Sequence, residues 1–125
     1  MQEQTARRAR VFKTAWFSKS AKKSRIDDEE LCTAIQEVML GQVVDLGGGV
    51  FKKRLNRNRS RAIIVAKGGR YWVYAYLFAK QDRSNISGRE LVEFRELADL
   101  YARKKDSDIA NELKFNELVE ICRDY

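Results

Sequence analysis

Residues 45–82 read DLGGGVFKKRLNRNRSRAIIVAKGGRYWVYAYLFAKQD, a succession of strand-like runs separated by glycine- and asparagine-containing turns, and they decide the fold. The runs from Arg61 to Ala66 and Tyr71 to Ala79 are rich in β-branched and aromatic residues, which fit a pleated surface, and Val50 to Leu55 reads as the strand before them. Lys67-Gly68-Gly69-Arg70 joins the last two as a hairpin, because paired glycines supply the positive φ of a tight turn. This hairpin is the expected centre of a sheet. Gly47, Gly48 and Gly49 read as a turn or bulge ahead of the first run. A phosphate-binding P-loop would need Lys then Ser or Thr after the glycines, and neither follows. Within 50–55 a two-residue period puts Val50, Lys52 and Arg54 on one face and Phe51, Lys53 and Leu55 on the other.

Between Asp45 and Asp82 the same stretch holds nine Lys or Arg residues and no carboxylate. A basic, acid-free surface on a rigid sheet suits phosphate. It argues against a metal-dependent nuclease, which needs carboxylates for its ions, and the absence of His from the whole chain removes a two-histidine ribonuclease. No cofactor or metal is expected. The net charge of +7 is a patch rather than a uniform field, since residues 27–49 carry six acidic and no basic side chains while 50–89 carry eleven basic and one acidic. At 125 residues the chain fits one domain, 1–125, with a single core. Cys32 and Cys122 form no CxxC pair and are read as reduced packing residues. No apolar run approaches a membrane span or a secretory signal, so a cytoplasmic protein with no membrane partner is expected.

Around this centre, residues 9–17 (ARVFKTAWF) read as a first strand, followed by a short polar helix or loop through Ser24. Asp27 and Glu30 have capping-box spacing ahead of Leu31, Ala34, Ile35, Val38 and Met39, a helix that Gly41 stops. Ser87 and Glu90 repeat the box ahead of an apolar stripe of Leu91, Phe94, Leu97, Ala98 and Tyr101. A short helix around Ile109 to Leu113 follows, and periodicity leaves Leu118 to Cys122 open between strand and helix.

The ordered succession RVFKTAWF, DDEELCTAIQEVMLGQVVDLGGGVFKKRL, a strand opening at Arg61, and YAYLFAKQDRSNIS before a capped helix resembles the RelE/ParE superfamily of type II toxin–antitoxin toxins. The HigB-like branch, with DLGGGxxKxR and FAKxxRxNI in this order, is the nearest in pattern. The resemblance implies an α+β fold: an N-terminal strand, helices, then a mainly antiparallel twisted sheet with a C-terminal helical extension. It also implies a cognate antitoxin, and a ribosome-dependent mRNA endoribonuclease that inhibits translation. A ParE-like inhibitor of DNA gyrase and an inactive RNA- or antitoxin-binding relative are the alternatives.

Matched position by position, the resemblance assigns catalysis to Lys52, Arg54, Arg61, Lys80 and Arg83, with Lys53, Arg57, Arg59 and Tyr76 as RNA-binding residues. The chemistry is compatible. Attack of a 2′-hydroxyl on the adjacent phosphate needs a base, a proton donor for the leaving oxygen and positive charge at the phosphorane. Without histidine, a lysine crowded by cations is the available base, Lys52 or Lys80, while Arg61 is shaped for the transition-state phosphate and Arg54 and Arg83 for gripping substrate. The bland reading is a solvated basic face. Most of Tyr71, Trp72, Tyr74, Tyr76 and Phe78 are expected in the core, with Tyr76 and Phe78 on the same face as Lys80. The chain departs from the family in the loop Asn56-Arg57-Asn58-Arg59-Ser60, shorter and without the Gly- and Ser-rich GKSGG pattern, and is expected to be stiffer there.

Overall fold

Strand β1, Arg10–Thr14, stops where the Thr14 hydroxyl oxygen accepts the Phe17 N–H at 3.0 Å and caps helix α1, Ala15–Lys23. The strand expected over 9–17 is thus shorter, and Ala15, Trp16 and Phe17 belong to the helix. The computed structural model describes residues 9–123, so the ends of the expected 1–125 domain, with Arg7 and Arg8, lie outside the described residues. Helix α2, Asp28–Met39, starts at Asp27, whose carboxylate accepts the Glu30 N–H at 2.9 Å. Glu30 does not close the box. Its carboxylate accepts the backbone N–H of Asn56 and ties the loop after the following strands to α2.

Strands β2 (Val44–Gly47), β3 (Val50–Leu55), β4 (Ser60–Val65) and β5 (Tyr71–Ala79) are followed by helices α3 (Gly88–Arg103) and α4 (Asp106–Lys114) and by strand β6 (Leu118–Ile121). They form a six-stranded sheet in the order β2-β3-β4-β5-β1-β6, with β1 parallel to β5 and every other neighbouring pair antiparallel. The β4–β5 hairpin is at the centre, as expected. The segment left open at 118–122 is a strand through Ile121, because β1 offers its free edge to pair with Leu118–Ile121.

Alternation sends apolar side chains to both faces of the sheet, and helices cover each. On one face Phe17 and Ala21 of α1 and Leu31, Ile35 and Val38 of α2 pack against Ala62, Ile64, Tyr74 and Leu77. On the other, Ala98 and Tyr101 of α3 and Ile109 of α4 pack against Phe12, Val50, Ile63, Val65 and Val73. Gly49 permits the close approach of α3: at φ +87° its added Cβ would stand 2.8 Å from the Ala66 carbonyl oxygen and 3.1 Å from Ala98 Cβ. The glycine run is indeed a turn, held from outside by the Arg95 guanidinium, which donates to the carbonyls of Leu46 and Gly47 at 2.5 and 3.2 Å.

The expectation of reduced cysteines is corrected. Cys32 of α2 and Cys122 just after β6 are joined in a disulfide with a Cα–Cα distance of 5.4 Å. Ninety residues separate them in sequence, and only the return of β6 to the edge beside β1 brings Cys122 back to α2.

Candidate nucleic-acid interface

Pairing aligns the cations of β3 with those of β4 and the aromatics of β5 in two neighbouring rows. Lys52 lies opposite Ile63 and Ile63 opposite Tyr76; one step along, Arg54 lies opposite Arg61 and Arg61 opposite Phe78. Strands are spaced about 4.8 Å apart, so each row spans about 10 Å of backbone. A bulge makes the aromatic end possible. Ile63 pairs with Tyr76 but Ile64 with Tyr74, so Ala75 is the extra residue. It reverses alternation along β5, leaving Tyr74 in the α1/α2 core and Tyr76 and Phe78 on the face of Lys52.

Arg54 directly opposite Arg61 is an arrangement that costs stability, because like charges on paired residues repel. An anion between them reverses the sign. Arg61 is half-buried and fixed, one of its terminal nitrogens donating to the carbonyls of Asn58 and Ser60 at 3.0 and 3.1 Å. The carbonyl of Asn58 is available because Asn56, Arg57 and Asn58 all take positive φ, at 55°, 54° and 71°. The glycine-free loop therefore closes in the left-handed region, which Asn tolerates better than other non-glycine residues.

Arg83 joins this face from the turn after β5, but its guanidinium is occupied within the protein. Its two terminal nitrogens meet the Glu90 carboxylate at 3.1 and 2.5 Å, Nε donates to the Asn85 carbonyl at 2.9 Å, and the group lies 5.6 Å over the Phe78 ring. Its Nη1 also points to the Tyr76 hydroxyl at 3.5 Å. Glu90 is held by Arg83 and by the Ser87 backbone N–H of the α3 capping box, and these bonds pull its carboxyl down to about 2.

The remaining expected residues divide. Lys80, Arg57 and Arg59 line a separate open groove of about 650 Å³ at the loop end of the sheet, where the Lys80 N–H donates to the Arg59 carbonyl at 2.8 Å. Arg54 is exposed, and it also borders a groove toward α2 with Glu29 and Glu30. Lys53, expected among the RNA-binding residues, is not brought to the face of Lys52. It is 8% exposed on the α2 side, where its ammonium donates to the Gln42 carbonyl at 2.8 Å and pairs with Glu37 at 2.9 Å.

Two side chains beside this face carry no such signal in the sequence. The spacing of Glu90 marks a cap, and nothing in it announces the second role as partner of Arg83. The β-rich run 9–17 predicts Trp16 in a strand; it projects instead from the first turn of α1, half exposed, and stacks on Tyr76 with ring centroids 4.9 Å apart.

The family model described as RelE toxin of the RelE/RelB toxin–antitoxin system matches residues 9–121, nearly all of the chain. A search of curated proteins returns no match. Among the described residues no helix is long and apolar enough to cross a membrane.

Proposed function

The chain belongs to the RelE toxin family of toxin–antitoxin systems, and from that premise we propose that it is a ribosome-dependent mRNA endoribonuclease whose working surface is the Lys52–Tyr76 and Arg54–Arg61–Phe78 face. A toxin of this family has an antitoxin partner. The observation that carries the reading is the opposed Arg54–Arg61 pair beside Lys52, in a sequence stretch free of carboxylates: the two guanidiniums repel each other, and a phosphate between them would be held by both.

In the proposed reaction Lys52 first releases its own proton to solvent, and the 2′-oxygen of one nucleotide then attacks the adjacent phosphorus as the hydroxyl proton passes to the free amine. Charge that accumulates on the phosphorane oxygens meets the Arg61 fork, preset by the Asn58 and Ser60 carbonyls so that little reorganisation accompanies the step. The 5′-oxygen leaves with a proton, giving a 2′,3′-cyclic phosphate upstream and a 5′-hydroxyl downstream. The Tyr76 hydroxyl accepts from Arg83 and keeps its own hydrogen to donate, which makes it the candidate acid. Arg83, engaged by Glu90, is a positioning residue for Tyr76. Arg54 holds the substrate phosphate, and Lys80, Arg57 and Arg59 extend the positive surface along the backbone in the cytoplasmic setting this function requires.

A primer-extension map of a defined message tests the reading, run with and without translating ribosomes and with Arg61→Ala in parallel. Cuts that require the ribosome and disappear in the variant are expected. An intact message would overturn it, and intact message with a DNA-damage response would transfer the protein to gyrase inhibition.

A further inference from the structure

Tryptophan is the largest apolar side chain, and leaving one in water forfeits burial that is otherwise worth a few kcal/mol. Of the two tryptophans in the chain, Trp72 lies on the α1/α2 side against Phe51, with ring centroids 5.7 Å apart. Trp16 is 50% exposed. It is nevertheless not loose, because the indole stacks on Tyr76 at an interplanar angle of 27°. Tyr76 is in turn braced by the rings of Phe78 and Phe94, each 6.0 Å away, and its hydroxyl faces Arg83. A half-exposed indole on a braced tyrosine is a rigid aromatic step at the end of the Lys52–Ile63–Tyr76 row.

Unpaired bases bind proteins chiefly by stacking on such surfaces, while the sugar-phosphate chain runs along neighbouring cations. Both parts are present here, the indole lying one ring stack beyond the two strand spacings between Lys52 and Tyr76. We infer that Trp16 is a base-stacking residue of the nucleic-acid interface: the exposed indole receives a base of single-stranded RNA whose phosphates lie on Lys52 and the Arg54–Arg61 pair. The inference rests on the RNA reading proposed above and deepens it by naming single-stranded, unstacked RNA as the ligand and Trp16 as the residue that reads the plane of a base.

The test uses Trp72→Phe, which leaves Trp16 as the sole tryptophan, titrated with a short single-stranded RNA and with the same strand carrying abasic riboses. Anisotropy of labelled RNA reports saturation independently. Quenching of Trp16 emission by the base-bearing strand is expected, with little change on the abasic strand. Trp16→Leu is expected to weaken binding about ten-fold, in keeping with stacking energies of about 1–3 kcal/mol per base, and Trp16→Tyr to restore most of it. Unchanged Trp16 emission at saturation, equal affinity for the abasic strand, or full affinity in Trp16→Leu would overturn the inference. The cleavage map of wild-type protein is scored separately, so an uncut message removes the nuclease reading while the titration still decides the role of Trp16.

Discussion

Lys52 and Lys53 are sequence neighbours with opposite fates, and exchanging each for methionine separates them. In Lys53→Met the hydrocarbon stem stays packed while the ammonium is lost, with its 2.8 Å bond to the Gln42 carbonyl and its 2.9 Å pair with Glu37. A hydrogen bond from a charged donor contributes about 1.5–3 kcal/mol, and a pair with a half-exposed carboxylate at most about 1. Relief of the desolvated charge offsets part of this, so a net loss of about 2 kcal/mol is expected. With an unfolding entropy of about 2.1 cal/mol/K per residue, a chain of this length loses about 8 °C in Tm. RNA affinity stays within about two-fold, because Lys53 faces α2. Lys52→Met reverses the pattern: Tm moves by less than about 2 °C, while RNA binding weakens and its salt dependence falls by about one phosphate contact. Thermal melts and RNA titrations over a range of salt decide it. A Lys53→Met protein that keeps its Tm and loses RNA would refute the placement of these two side chains.

Three further outcomes follow from the same geometry. Arg54→Gln removes the cation opposite Arg61 and the one bordering Glu29 and Glu30, so urea denaturation should shift by less than about 1 kcal/mol while mRNA cleavage is lost; a larger loss of stability would make Arg54 a structural residue. Glu90 titrates near 2 when folded and near 4.3 unfolded, a depressed value, so its contribution to stability is present above the unfolded value and drains away as pH falls from there toward 2. Carboxyl NMR should show that low titration, and Arg83→Met should return it toward the ordinary range. Cys122→Ser opens a bridge spanning 90 residues of sequence, for which chain entropy gives at most about 4.6 kcal/mol and measured losses fall near 2–4. Dithiothreitol should lower Tm of the wild type similarly, and an unmoved Tm in both would count against the disulfide.

The order of elements was readable because local chemistry agreed with it. Ser87 and Glu90 do form the capping box, Gly47 to Gly49 do turn, and the Gly68-Gly69 hairpin is central. Resemblance and period together located Lys52, Arg54 and Arg61 on one face. What failed depended on contacts remote in sequence. The Ala75 bulge, which turns Tyr76 toward Lys52, leaves no mark in a strand that is apolar on both faces. Period two separated Lys53 from Lys52 but could not say that Gln42 and Glu37 waited on the far side. Thr14 had the chemistry of a helix cap, yet the β-rich residues on either side of it masked the start of α1 and, with it, the exposure of Trp16. The loop at 56–60 was legible as short and free of glycine; three successive positive φ values at 56–58 were not, because no glycine announced them.

Cleavage of mRNA on the Lys52–Arg54–Arg61 face by attack of the 2′-oxygen leaves ends of one kind, which mass spectrometry reads on a defined message after translation in the presence of the protein. A 2′,3′-cyclic phosphate is expected on the upstream fragment and a 5′-hydroxyl on the downstream one, both absent with Arg61→Ala. A 3′-hydroxyl with a 5′-phosphate, or a message left whole while the wild-type protein arrests growth, would contradict it.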